Sequence, residues 1–103
     1  AVLNAGAIVS HDCVLGRVTN LSPGAALAGH VVVEDLAQIG MNATVLDMAV
    51  MGDFALLGSG SLLKGNAEEG GVYVGVPARL SKKVEDLPAY RLNPSEEAYR
   101  ERR

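Results

Sequence analysis

The chain has 103 residues, of which 49% are hydrophobic but only 4% aromatic, and a formal net charge of −3. That charge argues against nucleic acid or an anionic membrane as the main partner. No apolar run reaches the ~18 residues of a membrane span, no signal-peptide pattern opens the chain, and the single cysteine, Cys13, excludes an intrachain disulfide, so a cytoplasmic location is expected.

The first element is a repeat. An aliphatic residue stands at every sixth position: Leu3, Val9, Leu15, Leu21, Leu27, Val33, Ile39, Val45, Met51, Leu57 and Leu63. Four residues after each comes a small or narrow one: Ala7, Cys13, Thr19, Ala25, Val31, Ala37, Ala43, Ala49, Ala55, Ser61 and Ala67. A period of six fits neither the 3.6 of a helix nor an isolated strand, and marks a repeat architecture.

The small residue and the next aliphatic lie two positions apart, so in extended backbone both point to one side. The residues between must turn the chain, and many are Gly, Asn, Asp or Pro: Asn4, Gly6, Gly16, Pro23, Gly24, Gly29, Gly40, Asn42, Gly52, Asp53, Gly58, Gly60, Gly65 and Asn66. Three hexads per coil predict an all-β, parallel β-helix shaped as a triangular prism over residues 1–67. Its columns would be Leu3, Leu21, Ile39 and Leu57; Val9, Leu27, Val45 and Leu63; and Leu15, Val33 and Met51. An interior of one aliphatic and one small residue per face leaves no room for large rings. Cys13 is expected to be a buried thiol there. So narrow a core is small against the entropy of ordering its backbone, which predicts association.

After Ala67 the chain changes character, with seven acids and seven bases in residues 68–103 against five and two before. Residues 68–80 are expected to form a terminal loop and a short strand, Val72 to Arg79, ending in a proline turn. Residues 81–103 read as a charged tail, helical near 94–103, with Asn93 as cap, Pro94 in the first turn and Arg100, Arg102 and Arg103 at the end.

Two histidines carry the candidate chemistry, His11 and His30, both in turns. His11 precedes Asp12, and a carboxylate beside an imidazole can orient it as a general base. His30 reads as an exposed turn residue. No metal is expected, because a catalytic zinc site of the β-helical hydratase type needs three histidines.

The segments Val9-Ser10-His11-Asp12-Cys13-Val14-Leu15-Gly16, Leu21-Ser22-Pro23-Gly24-Ala25, Leu27-Ala28-Gly29, Ile39-Gly40-Met41-Asn42 and Gly71-Val72-Tyr73-Val74-Gly75-Val76-Pro77-Ala78 resemble the hexapeptide-repeat acyltransferases. The likeness is to the C-terminal domain of the sialic acid O-acetyltransferase and bacterial UDP-amino-sugar N-acetyltransferase group, and covers about residues 2–80. It implies a left-handed coil, a handedness that spacing does not supply. It further implies an acetyl-CoA-dependent transferase, assembled as a homotrimer, that acetylates an amino or hydroxyl group of a sugar-like acceptor. By position His11 would be the base, Asp12 its orienting acid and Gly29 the backbone donor to the thioester oxygen. Asn20, Gly29, Gly40, Met41, Gly58, Ser59 and Arg79 would line the coenzyme site.

Two departures from that pattern stand out. Asn20 occupies a place where members of the group often carry a second histidine. The nucleotide-sugar-binding lobe usual in the group does not precede the repeat here, which suggests a fragment or a minimal enzyme with another acceptor. The alternative function is a non-catalytic trimeric β-helix, a scaffold or a decayed acyltransferase.

Overall fold

The structure is a computed structural model that describes residues 1–86. The helix expected near 94–103 lies outside the described residues.

Eleven two-residue strands follow one another at six-residue intervals: β1 Val2–Leu3, β2 Ile8–Val9, β3 Val14–Leu15, β4 Asn20–Leu21, β5 Ala26–Leu27, β6 Val32–Val33, β7 Gln38–Ile39, β8 Thr44–Val45, β9 Val50–Met51, β10 Leu56–Leu57 and β11 Leu62–Leu63. Every third strand pairs in parallel, so β1-β4-β7-β10 form one face, β2-β5-β8-β11 a second and β3-β6-β9 a third. The register aligns Leu3 with Leu21, Leu21 with Ile39, and Ile39 with Leu57. It also aligns Val9 with Leu27 and Leu15 with Val33, as the columns require. The molecule is a parallel β-solenoid of about four turns whose interior is the expected set of aliphatic and small residues.

From Leu21 onward that interior is sealed, with Ala25, Val31, Ala37, Ile39, Ala43, Val45, Met51, Ala55 and Leu57 at zero exposure. The first coil is the open end, and Leu3 is exposed there. Cys13 is consequently only half-buried, its thiol donating to the Ala28 carbonyl at 3.1 Å.

Two residues make each turn, and the second adopts a left-handed conformation at ten successive corners: Gly6, Asp12, Val18, Gly24, His30, Leu36, Asn42, Met48, Phe54 and Gly60. Only three of these are glycine. For a β-branched residue such as Val18 (φ 53°) this region is strained. From the second coil onward a hydrogen bond to the coil below helps to hold such corners: Leu36 N–H donates to Arg17 C=O at 2.8 Å, Asn42 to Pro23 at 3.1 Å and Phe54 to Asp35 at 3.0 Å. Many glycines expected to turn the chain have a different task. Gly16, Gly40 and Gly52 directly follow a core aliphatic, where the backbone of the next coil passes so close that a Cβ has no room, and Gly58 is crowded by the Val74 side chain. A Cβ on Gly40, for example, would lie 2.7 Å from Ser59 N and 2.8 Å from Leu57 O.

One corner also carries a carboxylate ladder at the coil spacing. Asp35 accepts from Arg17 N–H at 2.7 Å and from the Arg17 guanidinium, while Asp53 accepts from Asp35 N–H at 2.9 Å.

The last coil is shorter. Leu57 aligns with Tyr73 and Met51 bridges to Ala67, so residues 64–66 cut a corner, with Asn66 Oδ1 accepting from Val50 N–H at 2.8 Å. The C-terminal segment is a hairpin rather than a single strand: β12 (Gly71–Gly75) and β13 (Ala78–Lys83) are antiparallel, joined through a cis Val76–Pro77 bond. A short 3₁₀ turn, Val84–Asp86, follows. The first residues of the charged tail are therefore strand. They are held to the coil by Lys83 and Glu68, whose hydrogen bond raises the ammonium above its ordinary pKa of 10.5. Among the described residues no helix is long and apolar enough to cross a membrane.

Candidate active site

The corner between the second and third faces stacks His11-Asp12 under Gly29-His30, one coil apart. The stacking follows from the repeat: 18 residues separate His11 from Gly29 and Asp12 from His30. His30 N–H donates to the His11 carbonyl at 3.0 Å, and Met48 N–H to the Gly29 carbonyl at 3.0 Å, so three coils are tied at this edge.

His11 Nδ1 lies 3.2 Å from Asp12 Oδ2. Donation from Nδ1 to that carboxylate leaves Nε2 with its lone pair, the form a general base requires. The ring lies against Gly29, where a Cβ would come within 2.8 Å of Cε1 and 2.9 Å of Nε2. Glycine at this position is therefore explained by the imidazole itself. The Gly29 N–H has no acceptor among the described residues. His30 completes the group, its Nε2 3.9 Å from Asp12 Oδ2 and its ring edge-on to that of His11 with centroids 5.1 Å apart. All three polar side chains are exposed, 73% for His11 and 67% for Asp12, so solvent screens their mutual attraction.

His11, Asp12 and Gly29 are thus brought together. His30 is an addition that sequence reading passed over as a turn residue, although its 18-residue offset from Asp12 carried the signal. Apart from Gly29, the residues expected to line the coenzyme site lie elsewhere on the chain. Gly40 and Met41, with Gly58 and Ser59 above them, occupy the corner between the first and second faces. There Gly60 N–H donates to Met41 C=O at 2.8 Å, and Gly58 is roofed by Val74. Arg79 pairs with Val74 in the hairpin, so it joins this second group. Asn20 sits on the first face and accepts from Asn4 Nδ2 at 3.0 Å. The second face separates the two corner groups within a single chain.

Three flat parallel ladders with a six-residue step, turned by two-residue corners, define a hexapeptide-repeat β-helix. No family model matches the chain. Individual proteins do. Over 55 residues it is 44% identical to acyl-[acyl-carrier-protein]–UDP-N-acetylglucosamine O-acyltransferase of Alkalilimnicola ehrlichii, a match covering 53% of this chain and 21% of that protein. The structure of PerB from Caulobacter crescentus, in complex with CoA and GDP-perosamine, superposes with a TM-score of 0.76 at 35% identity, covering 77% of this chain and 38% of that one. The acetyltransferase domain of PglB from Neisseria gonorrhoeae gives 0.75 at 29% identity, covering 76% and 38%. Over the matched residues the chain is a hexapeptide-repeat β-helix similar to these acyltransferases. It spans about a fifth of the length of the curated relatives that it matches and under two-fifths of these solved ones.

Proposed function

We propose that this chain transfers an acetyl group from acetyl-CoA to an amino or hydroxyl group of a sugar-like acceptor, with His11 as general base. The observation that carries the reading is the packing of His11 between Asp12 and Gly29. The imidazole has a carboxylate at Nδ1 and its other nitrogen beside a glycine whose N–H is open.

In this reading His11 Nε2 takes the proton from the acceptor as its nitrogen or oxygen attacks the thioester carbonyl. The Gly29 N–H donates to the oxygen as it becomes anionic, a kind of stabilisation often larger than any other single contribution. Collapse of the tetrahedral intermediate breaks the carbon–sulfur bond, and the His11 imidazolium returns its proton to the departing thiolate. Asp12 orients the ring throughout. No acyl-enzyme forms, so Cys13 and Ser10 have no part in the chemistry.

The coenzyme would lie along the corner of Gly40, Met41, Gly58 and Ser59, with Arg79 reaching it from the hairpin. Because that corner and the His11 corner lie on opposite sides of the second face, a neighbouring subunit must complete the site. Assembly as a cyclic homotrimer supplies this. An outward row of Val14, Val32 and Val50 on the third face, next to the His11 corner, supports such contact. Asn20, bonded to Asn4, would meet the acyl end of the coenzyme only as a hydrogen-bonding amide.

The test is thiol release from acetyl-CoA with a panel of amino sugars and their nucleotides. His11→Ala should lower the rate about 10²–10⁴-fold, and Asp12→Asn by less, with the assembly intact. An undiminished rate in the His11 variant refutes the mechanism.

A further inference from the structure

The corner that carries His11 brings three metal-ligating side chains together from two coils. One ligand atom each from His11, Asp12 and His30 lies within 4.8 Å of the other two. His11 Nδ1 and His30 Nε2 approach the same Asp12 oxygen, at 3.2 and 3.9 Å. Acyl transfer as described above employs His11 and Asp12 and gives His30 no task. We infer that this corner binds a divalent transition-metal ion of the zinc, nickel or copper class, held by His11, Asp12 and His30 with water completing the coordination.

The donor set selects the ion class. Two imidazoles and one carboxylate suit borderline-soft ions, whereas magnesium and calcium require oxygen donors. Only two histidines are present, too few for the three-histidine type of zinc site, but Asp12 stands as the third donor. Zinc–nitrogen and zinc–oxygen bonds of about 2.0–2.2 Å put neighbouring tetrahedral donors roughly 3.3–3.5 Å apart. The pair at 3.2 Å already fits, the pair at 3.9 Å must close by about half an ångström, and the two histidine nitrogens, within 4.8 Å of each other, must close by up to about 1.4 Å. These adjustments are rotations of exposed side chains. The backbone beneath them is set in advance, because His30 N–H is bonded to His11 C=O at 3.0 Å. Asp12 and His30 also share the same left-handed corner conformation, at φ 59° and 58°.

An ion seated here occupies a His11 nitrogen and draws Asp12 away from its orienting role. It would act as a reversible inhibitor of any proton transfer by His11. That consequence rests on the acyl-transfer reading; the binding site itself does not.

Titration of the purified chain with Co²⁺, followed by its visible absorption, and with Zn²⁺ against a chromophoric chelator tests the site without measuring turnover. The expected result is one ion per chain. His30→Asn and Asp12→Asn should each weaken Zn²⁺ by about tenfold or more, since even the loss of an outer-sphere partner costs 10–100-fold. Asn tolerates the left-handed corner, so both variants should fold, and equal melting temperatures verify this. Glu34→Gln, on another corner, should bind as the wild type does. Absence of stoichiometric binding by the wild type, or wild-type affinity in either corner variant, overturns the proposal. Should acyl transfer fail while the ion still binds, the functional reading falls and the metal site stands.

Discussion

Two chemically identical substitutions should have opposite consequences, and the difference can be worked from the coordinates. In Gly40→Ala the new methyl group meets backbone only: Ser59 N at 2.7 Å, Leu57 O at 2.8 Å and Gly58 C at 2.9 Å. Those atoms belong to the next coil and cannot move without shifting it, so the cost is that of overpacking, about 1–3 kcal/mol. In Gly29→Ala the methyl group meets the His11 ring at 2.8–2.9 Å, and that side chain is 73% exposed and free to swing away. Neither glycine is in the left-handed region, so both substitutions also gain about 0.4–1 kcal/mol by restricting the unfolded chain. Gly40→Ala should therefore lose about 1–2 kcal/mol net, or roughly 5–15 °C in melting temperature for a domain of this size. Gly29→Ala should stay within about 0.5 kcal/mol of the wild type, yet lose activity on the order of 10²-fold through displacement of the base. Thermal melts at one fixed protein concentration, beside the thiol-release assay, make the comparison. If Gly29→Ala melts as low as Gly40→Ala, or Gly40→Ala melts like the wild type, the close-approach reasoning fails.

Two further outcomes follow from the core and the corners. Ala43 is completely buried, and the inward hydroxyl stacked beside it, Ser61, cannot neutralise a carboxylate, so Ala43→Asp should remove several kcal/mol and abolish folding, as circular dichroism would record; a native spectrum would contradict that reasoning. Val18 is half exposed and strained at φ 53°, so Val18→Asn should stabilise by about 0.5–1 kcal/mol in urea titration, and a marked loss would contradict the strain.

The prism was legible because its interior tolerates only one pattern. A residue that faces inward every six positions must be aliphatic, and its neighbour two positions earlier must be small, so columns such as Leu21, Ile39 and Leu57 could be written down directly. The corners were less legible, because the stacked coil-to-coil hydrogen bonds can hold even Leu36 and Phe54 left-handed. Local preference therefore pointed rightly to Gly6, Gly24 and Gly60, but also to Gly16, Gly40, Gly52 and Gly58, which are close-approach positions. The hairpin of β12 and β13 was read as one strand because Pro77 suggests an end, whereas the chain doubles back there onto a charged second strand. At the candidate site, His11, Asp12 and Gly29 came from a resemblance that the fold then placed side by side. His30 joined them through the 18-residue coil step. The separation of Gly40, Met41, Gly58 and Ser59 from His11 on a single chain was implicit in the same step, since Gly40 and Gly58 are 18 residues apart and His11 is not in register with them.

Calorimetric titration with acetyl-CoA tests the central claim most directly, because it needs no knowledge of the acceptor. The account predicts one coenzyme per chain, bound only by the assembled trimer, with affinity reduced by Arg79→Ala and kept by His11→Ala. A stable monomer at micromolar concentration that binds no acetyl-CoA would contradict it and leave the prism as a scaffold.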